Sequence, residues 1–170
     1  MTNIEASSDT IRSAASAAPG AAAASPAPAV APDPKAVAQG LFDALNRQDW
    51  DALADYLASD VIDHNKVIHD EEDRPGAAFD AFRQQFEAFE NGSVCAQQFV
   101  AEGDTVAVRL IVRGTHSGAH PRMPEPTGRS FEVEQIWFLT IRNGKVAELR
   151  AVSDRLGMFL QLGWDWPTVD

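Results

Sequence analysis

Residues 105–116 constrain the fold more tightly than any other stretch of this chain. Val106, Val108, Leu110 and Val112 alternate with Ala107, Arg109, Ile111 and Arg113, the period-two pattern of a strand with one buried face. A second long run, Ser130–Arg142, stops at Asn143-Gly144, the dipeptide that favours a two-residue hairpin, and Lys145–Ser153 reads as its return strand. Upstream, the turn Glu102-Gly103-Asp104 joins a strand over Val94–Ala101 to Thr105–His116. Successive antiparallel strands expose an apolar face that a second layer must cover, and the first half of the chain supplies helices for it.

Asp33-Pro34 reads as a helix N-cap followed by proline at the first helical position, with Val37, Leu41, Ala44 and Leu45 at helical spacing as far as about Arg47. Asp49 opens a second helix carrying Trp50, Leu53, Ala54 and Leu57, which Ser59-Asp60 ends before a brief strand at Val61-Ile62. Phe79, Phe82, Phe86 and Phe89 fall at i, i+3, i+7 and i+10, an amphipathic helix stopped by Asn91-Gly92. Asp154–Leu162 forms a terminal helix or turn. The fold class is α+β: a curved antiparallel sheet with about three N-terminal helices forming a cone-shaped pocket, the bend permitted by Gly114 inside its strand.

The first 34 residues differ from the rest. Twelve Ala, five Pro and five Ser fill 22 of them, and a segment so poor in large side chains cannot offset its ordering entropy by burial. They are expected to form a disordered tail (1–34) ahead of one domain (35–170), which is long enough to bury roughly two-thirds of its unfolded surface. The tail lacks the basic start and apolar run of a secretory signal, and no stretch approaches the ~20 apolar residues of a membrane span. The net charge of −11 disfavours nucleic acid as a partner. Cys95 stands alone, expected as a small buried side chain, which fits a reducing cytoplasm and leaves no cysteine metal cluster.

A set of ordered local patterns resembles the SnoaL-like polyketide cyclase family of the nuclear transport factor 2-like superfamily. It comprises Asp49-Trp50-Asp51-Ala52-Leu53, Asp63-His64, Gly103-Asp104 with Val106-Ala107-Val108-Arg109, and Gly114-Thr115-His116-Ser117-Gly118. Pro126-Thr127-Gly128-Arg129, Asn143-Gly144-Lys145-Val146-Ala147-Glu148 and Asp154-Arg155-Leu156-Gly157-Met158 complete it. The resemblance spans about residues 36–163. It implies a homodimer packed through the sheet, no metal or organic cofactor, and a hydrophobic small-molecule substrate closed into a ring by intramolecular aldol chemistry. The same fold also hosts epoxide hydrolases, isomerases and non-catalytic binding or scaffold domains.

An aldol closure needs a base and then an acid, and one carboxyl group in an apolar pocket can serve as both. The resemblance assigns that carboxyl to Asp154; the alternative is that Asp154 caps the terminal helix. Alternation over Val146, Glu148, Arg150, Val152 and Asp154 places them on one face, so Arg150 would depress the aspartate's pKa, bind a substrate carboxylate, or sit at the dimer surface. His64 is the second catalytic candidate. Trp137 and Gln135 share a face of their strand and suit stacking and hydrogen bonding to a substrate, unless that face is core or interface. His116 reaches either the pocket rim or a structural hydrogen bond in the following turn, and Arg109 is a candidate partner for Asp154. His69 and His120 lie in polar loops and carry no assigned role. The spacing of His64 and His69 among acidic residues suits no common zinc motif, so no metal site is expected.

Overall fold

The computed structural model describes residues 32–65 and 74–165. The expected tail up to residue 31, His69 with its acidic neighbours, and Trp166 lie outside the described residues. Helix α1 (Pro34–Arg47) begins as its sequence dictates: the Asp33 carboxylate accepts a hydrogen bond from the Lys35 N–H at 3.1 Å, with Pro34 opening the helix. Its apolar stripe, including Leu41, Phe42 and Leu45, is fully buried. Gln48 closes α1 in a left-handed conformation (φ 52°), and Asp49 caps α2 (Trp50–Tyr56) through the Ala52 N–H at 3.1 Å. Helix α2 stops before Ser59-Asp60, because Leu57 turns extended to enter the core opposite Val146 and begins β1 (Leu57–Asp63).

Helix α3 (Ala77–Ala88) leads directly into β2 (Phe89–Glu102), which pairs with β3 (Thr105–His116). Strands β4 (Ser130–Arg142) and β5 (Lys145–Ser153) form the hairpin that Asn143-Gly144 announced, with both turn residues at positive φ (52° and 73°). Helix α4 (Arg155–Gln161) follows. The sheet order is β1-β5-β4-β3-β2. Strand β1 runs parallel to β5, so the sheet is mixed rather than purely antiparallel. Among the described residues no helix is long and apolar enough to cross a membrane.

One face of the sheet carries the core. Val106, Val108, Leu110, Leu139 and Val146 meet α1 and α2 through Leu41, Phe42, Leu45 and Leu53, each large side chain contributing about 1.5–3 kcal/mol by leaving water. A second cluster joins Phe89, Phe131, Val133, Met158 and Leu162 where α4 packs on the sheet.

Three expectations are corrected here. Phe89 does not end the third helix; it begins β2, with its ring edge-on to Phe131 at 5.1 Å. Gly114 makes room for it, since a Cβ there would stand 2.8 Å from that of Phe89. The even alternation along β5 also fails. Thr140 pairs with Glu148 but Ile141 with Val146, so Ala147 is an extra residue and the facing reverses across it. Val146, Leu149 and Ala151 therefore face the core side, whereas Arg150 and Val152 are exposed on the other. Cys95 is exposed as well, not buried.

Candidate functional site

Between α3, α4 and the inner face of the sheet lies a cavity of about 810 Å³, part of it open to solvent at its mouth. Its walls are mostly aromatic and aliphatic: Phe82, Phe86, Phe89, Phe131, Trp137, Leu45, Val94, Val112, Leu149 and Met158. The Phe79/Phe82/Phe86/Phe89 stripe read from the sequence thus supplies three of the wall residues. Polar groups are few, chiefly Asp63, Asn65, Gln85, Gln135 and Arg155.

Trp137 and Gln135, two residues apart on β4, share the inner face. The indole stacks on Phe82 at 5.7 Å with an interplanar angle of 24° and meets Phe42 edge-on at 5.6 Å. Its Nε1–H donates to Gln135 Oε1 at 2.7 Å, a buried bond that fixes both side chains. The Gln135 amide nitrogen has no protein partner among the described residues.

Asp63, the last residue of β1, is buried at 7 % exposure. Its carboxylate accepts the Asn65 N–H at 2.6 Å, a local side-chain turn of the kind aspartate favours. Asn65 in turn accepts from Ala151 N–H (2.6 Å) and donates to Ala151 C=O (2.8 Å), so its side chain extends the β1–β5 pairing. This clamp holds Asp63 at the cavity wall. Arg155, at the start of α4, completes the polar group. Burial lowers its pKa, and the charge of Asp63 counteracts that.

The remaining candidates stand elsewhere. Asp154 is exposed and lies outside the cavity wall; its carboxylate accepts the Gly157 N–H at 2.8 Å and caps α4. Among the described residues no ion pair joins it to Arg150 or Arg109. Arg109 pairs with Glu134 at 2.6 Å on the outer face, and Arg150 is exposed there opposite Phe138, because the β5 bulge turns it outward. His64 sits at the outer edge, its Nε2 3.1 Å from Glu148, which also takes Arg142 at 2.9 Å. The hydrogen bond from His64, then the field of Arg142, hold the Glu148 carboxyl below its usual range. His116 is fully buried: its Nδ1 accepts from Thr127 N–H at 3.2 Å and its Nε2 lies 3.2 Å from Met123 O, pinning the β3–β4 loop.

Sequence reasoning passed over Asp63, Asn65, Gln85 and Arg155. Local parity does not reveal Asp63, because the register of β1 shifts between Leu57 and Ile62; its inward facing is set by pairing opposite Leu149 on β5. Arg155 directly follows Asp154 in the Asp154-Arg155-Leu156-Gly157-Met158 pattern.

The sequence model of the SnoaL-like polyketide cyclase family matches residues 35–162. The chain belongs to that family. Aklanonic acid methyl ester cyclase DnrD of Streptomyces peucetius is 30% identical over 134 residues, covering 78% of this chain and 92% of the relative. Among solved structures, wild-type IdmH of Streptomyces antibioticus aligns with a TM-score of 0.66 at 31% identity, over 78% of this chain and 100% of that one. TsrD of Streptomyces laurentii aligns with a TM-score of 0.67 at 26% identity, over 76% of this chain and 93% of that one. The match to the family stops short of the first 34 residues and contains every residue of the cavity wall.

Proposed function

We propose that this protein is a cyclase that closes a ring in a polyketide ester by an intramolecular aldol reaction, using cavity side chains alone. The observation that carries the reading is the buried Asp63 carboxylate on the wall of an otherwise largely apolar cavity. Membership of the family and the 30% identity to an aklanonic acid methyl ester cyclase support the reaction class. In the proposed course, Asp63 takes a proton from a carbon flanked by carbonyls. The resulting enolate carbon attacks a ketone carbon, forming the new C–C bond, and the alkoxide recovers the proton from Asp63. Gln135 donates its amide N–H to a substrate carbonyl, and Trp137 stacks on the substrate's aromatic rings. Asp154 and His64 take no part in this route; the one caps α4 and the other holds the outer edge.

The reading extends to a homodimer in a reducing cytoplasm. Ile136, Phe138, Val152 and Val100 are 40–70 % exposed on or beside the outer face of the sheet, an apolar area suited to a second copy, and Cys95 is an unbridged thiol on the same face.

Incubating the protein with aklanonic acid methyl ester and following cyclised product by chromatography tests the proposal. A second reading, in which the cavity binds a hydrophobic molecule without reacting, draws on the solvent-facing place of Asp154. Tight ester binding with no product would favour it.

A further inference from the structure

Arg155 lines the cavity, yet among the described residues no carboxylate comes within 4.0 Å of its guanidinium. Its polar contact is Nη1 to the Met158 sulfur at 3.8 Å. Arg113, the other cation on the wall, is exposed and paired with Glu132 at 2.6 Å. A guanidinium has five donors, accepts nothing and stays charged, so one held among apolar side chains with the field of Asp63 but no direct ion pair keeps donors for a ligand. Gln85, on α3, adds to this. Its amide makes no protein hydrogen bond among the described residues, and its Nε2 is wholly buried. Gln135 contributes a third donor without a protein acceptor. The wall therefore offers more donors than its own acceptors use.

We infer that Arg155 is a specificity-determining residue that receives an anionic oxygen pair of the substrate, a carboxylate or a 1,3-dicarbonyl in its enolate form, while Gln85 donates to a further ligand oxygen. The planar fork of arginine matches two oxygens held in one plane. The inference rests on the cavity being the substrate site, and it adds what that substrate must present. It also serves the proposed chemistry, because an anion paired with Arg155 cancels the positive field at Asp63 and makes that carboxylate a better base.

Two probe pairs separate the possible sources of the oxygens, read by titration calorimetry in mildly alkaline buffer. One is anthraquinone-2-carboxylate with its methyl ester; the other is 1-(2-naphthyl)butane-1,3-dione with its 2,2-dimethyl analogue, which cannot enolise. The wild type is expected to favour the anionic member of at least one pair by about tenfold or more. Arg155→Gln should shrink that preference to about twofold while holding the neutral member within about threefold, and Arg155→Lys, which keeps the charge without the fork, should retain part of it. Gln85→Leu should weaken carbonyl-bearing probes about fivefold without changing the preference. Equal binding of both members in both pairs by the wild type, or a preference that survives in Arg155→Gln, overturns the inference. Failure of the wild type to bind any probe overturns the cavity reading and this inference together, whereas absence of turnover alone leaves the inference standing.

Discussion

Lowering the pH from 7 to 5 is expected to loosen the β3–β4 loop through His120. This side chain is 2 % exposed, packs on Phe89 at 5.6 Å, and accepts the Arg122 N–H at Nδ1 (3.1 Å), while its Nε2 is buried without a protein partner among the described residues. Burial foremost, then the fields of Arg155, His116 and Arg122, lower its pKa from 6.5 to about 4. Between those two values the unfolded chain holds the extra proton and the folded chain does not. Stability is therefore whole above pH 6.5, falls as pH drops below it, and levels off below about 4. The full difference is worth about 3 kcal/mol, and about 2 kcal/mol of it is lost by pH 5. Urea unfolding of wild type and His120→Leu at pH 7 and pH 5 isolates the effect, since most other groups titrate alike in both. The wild type should lose about 2 kcal/mol more than the variant over that interval. An equal loss in both proteins would refute the reasoning.

Three further perturbations follow from the geometry. Asp154→Ala should cost about 1 kcal/mol in thermal or urea unfolding by removing the α4 cap, with ester turnover within about twofold of wild type once the protein is folded. Trp137→Phe leaves Gln135 Oε1 buried without its donor and should destabilise by about 1–3 kcal/mol, with a weaker affinity for aromatic ligands in calorimetry. Phe138→Asp on the outer face should convert the proposed dimer to monomer in sedimentation velocity while leaving the far-ultraviolet circular dichroism unchanged.

The strands and caps were legible because their signals are local. The alternation of Val106 through Val112, the Asn143-Gly144 turn and the caps at Asp33, Asp49 and Asp154 each depend on a few neighbouring residues. What escaped depends on partners distant in sequence. Phe89 continues the helical phenylalanine spacing, but packing against Phe131 from β4 draws it into a strand. The extra residue Ala147 reverses the faces of β5, so parity counted from Val146 misplaced Arg150. Parallel pairing of β1 with β5 made Asp63, rather than His64, the inward residue. Trp137 and Gln135 reached the cavity because β4 carries them beyond any bulge that would reverse their face.

Side-by-side turnover of the ester by Asp63→Asn and Asp154→Asn tests the central claim most directly. Asparagine keeps the shape at each position and removes the carboxylate's capacity to carry a proton, and it remains a competent helix cap at residue 154. Asp63→Asn is expected to lower kcat by about 100-fold or more, while Asp154→Asn stays close to wild type. Full activity in Asp63→Asn together with its loss in Asp154→Asn would contradict the account and move the chemistry from the cavity wall to the start of α4.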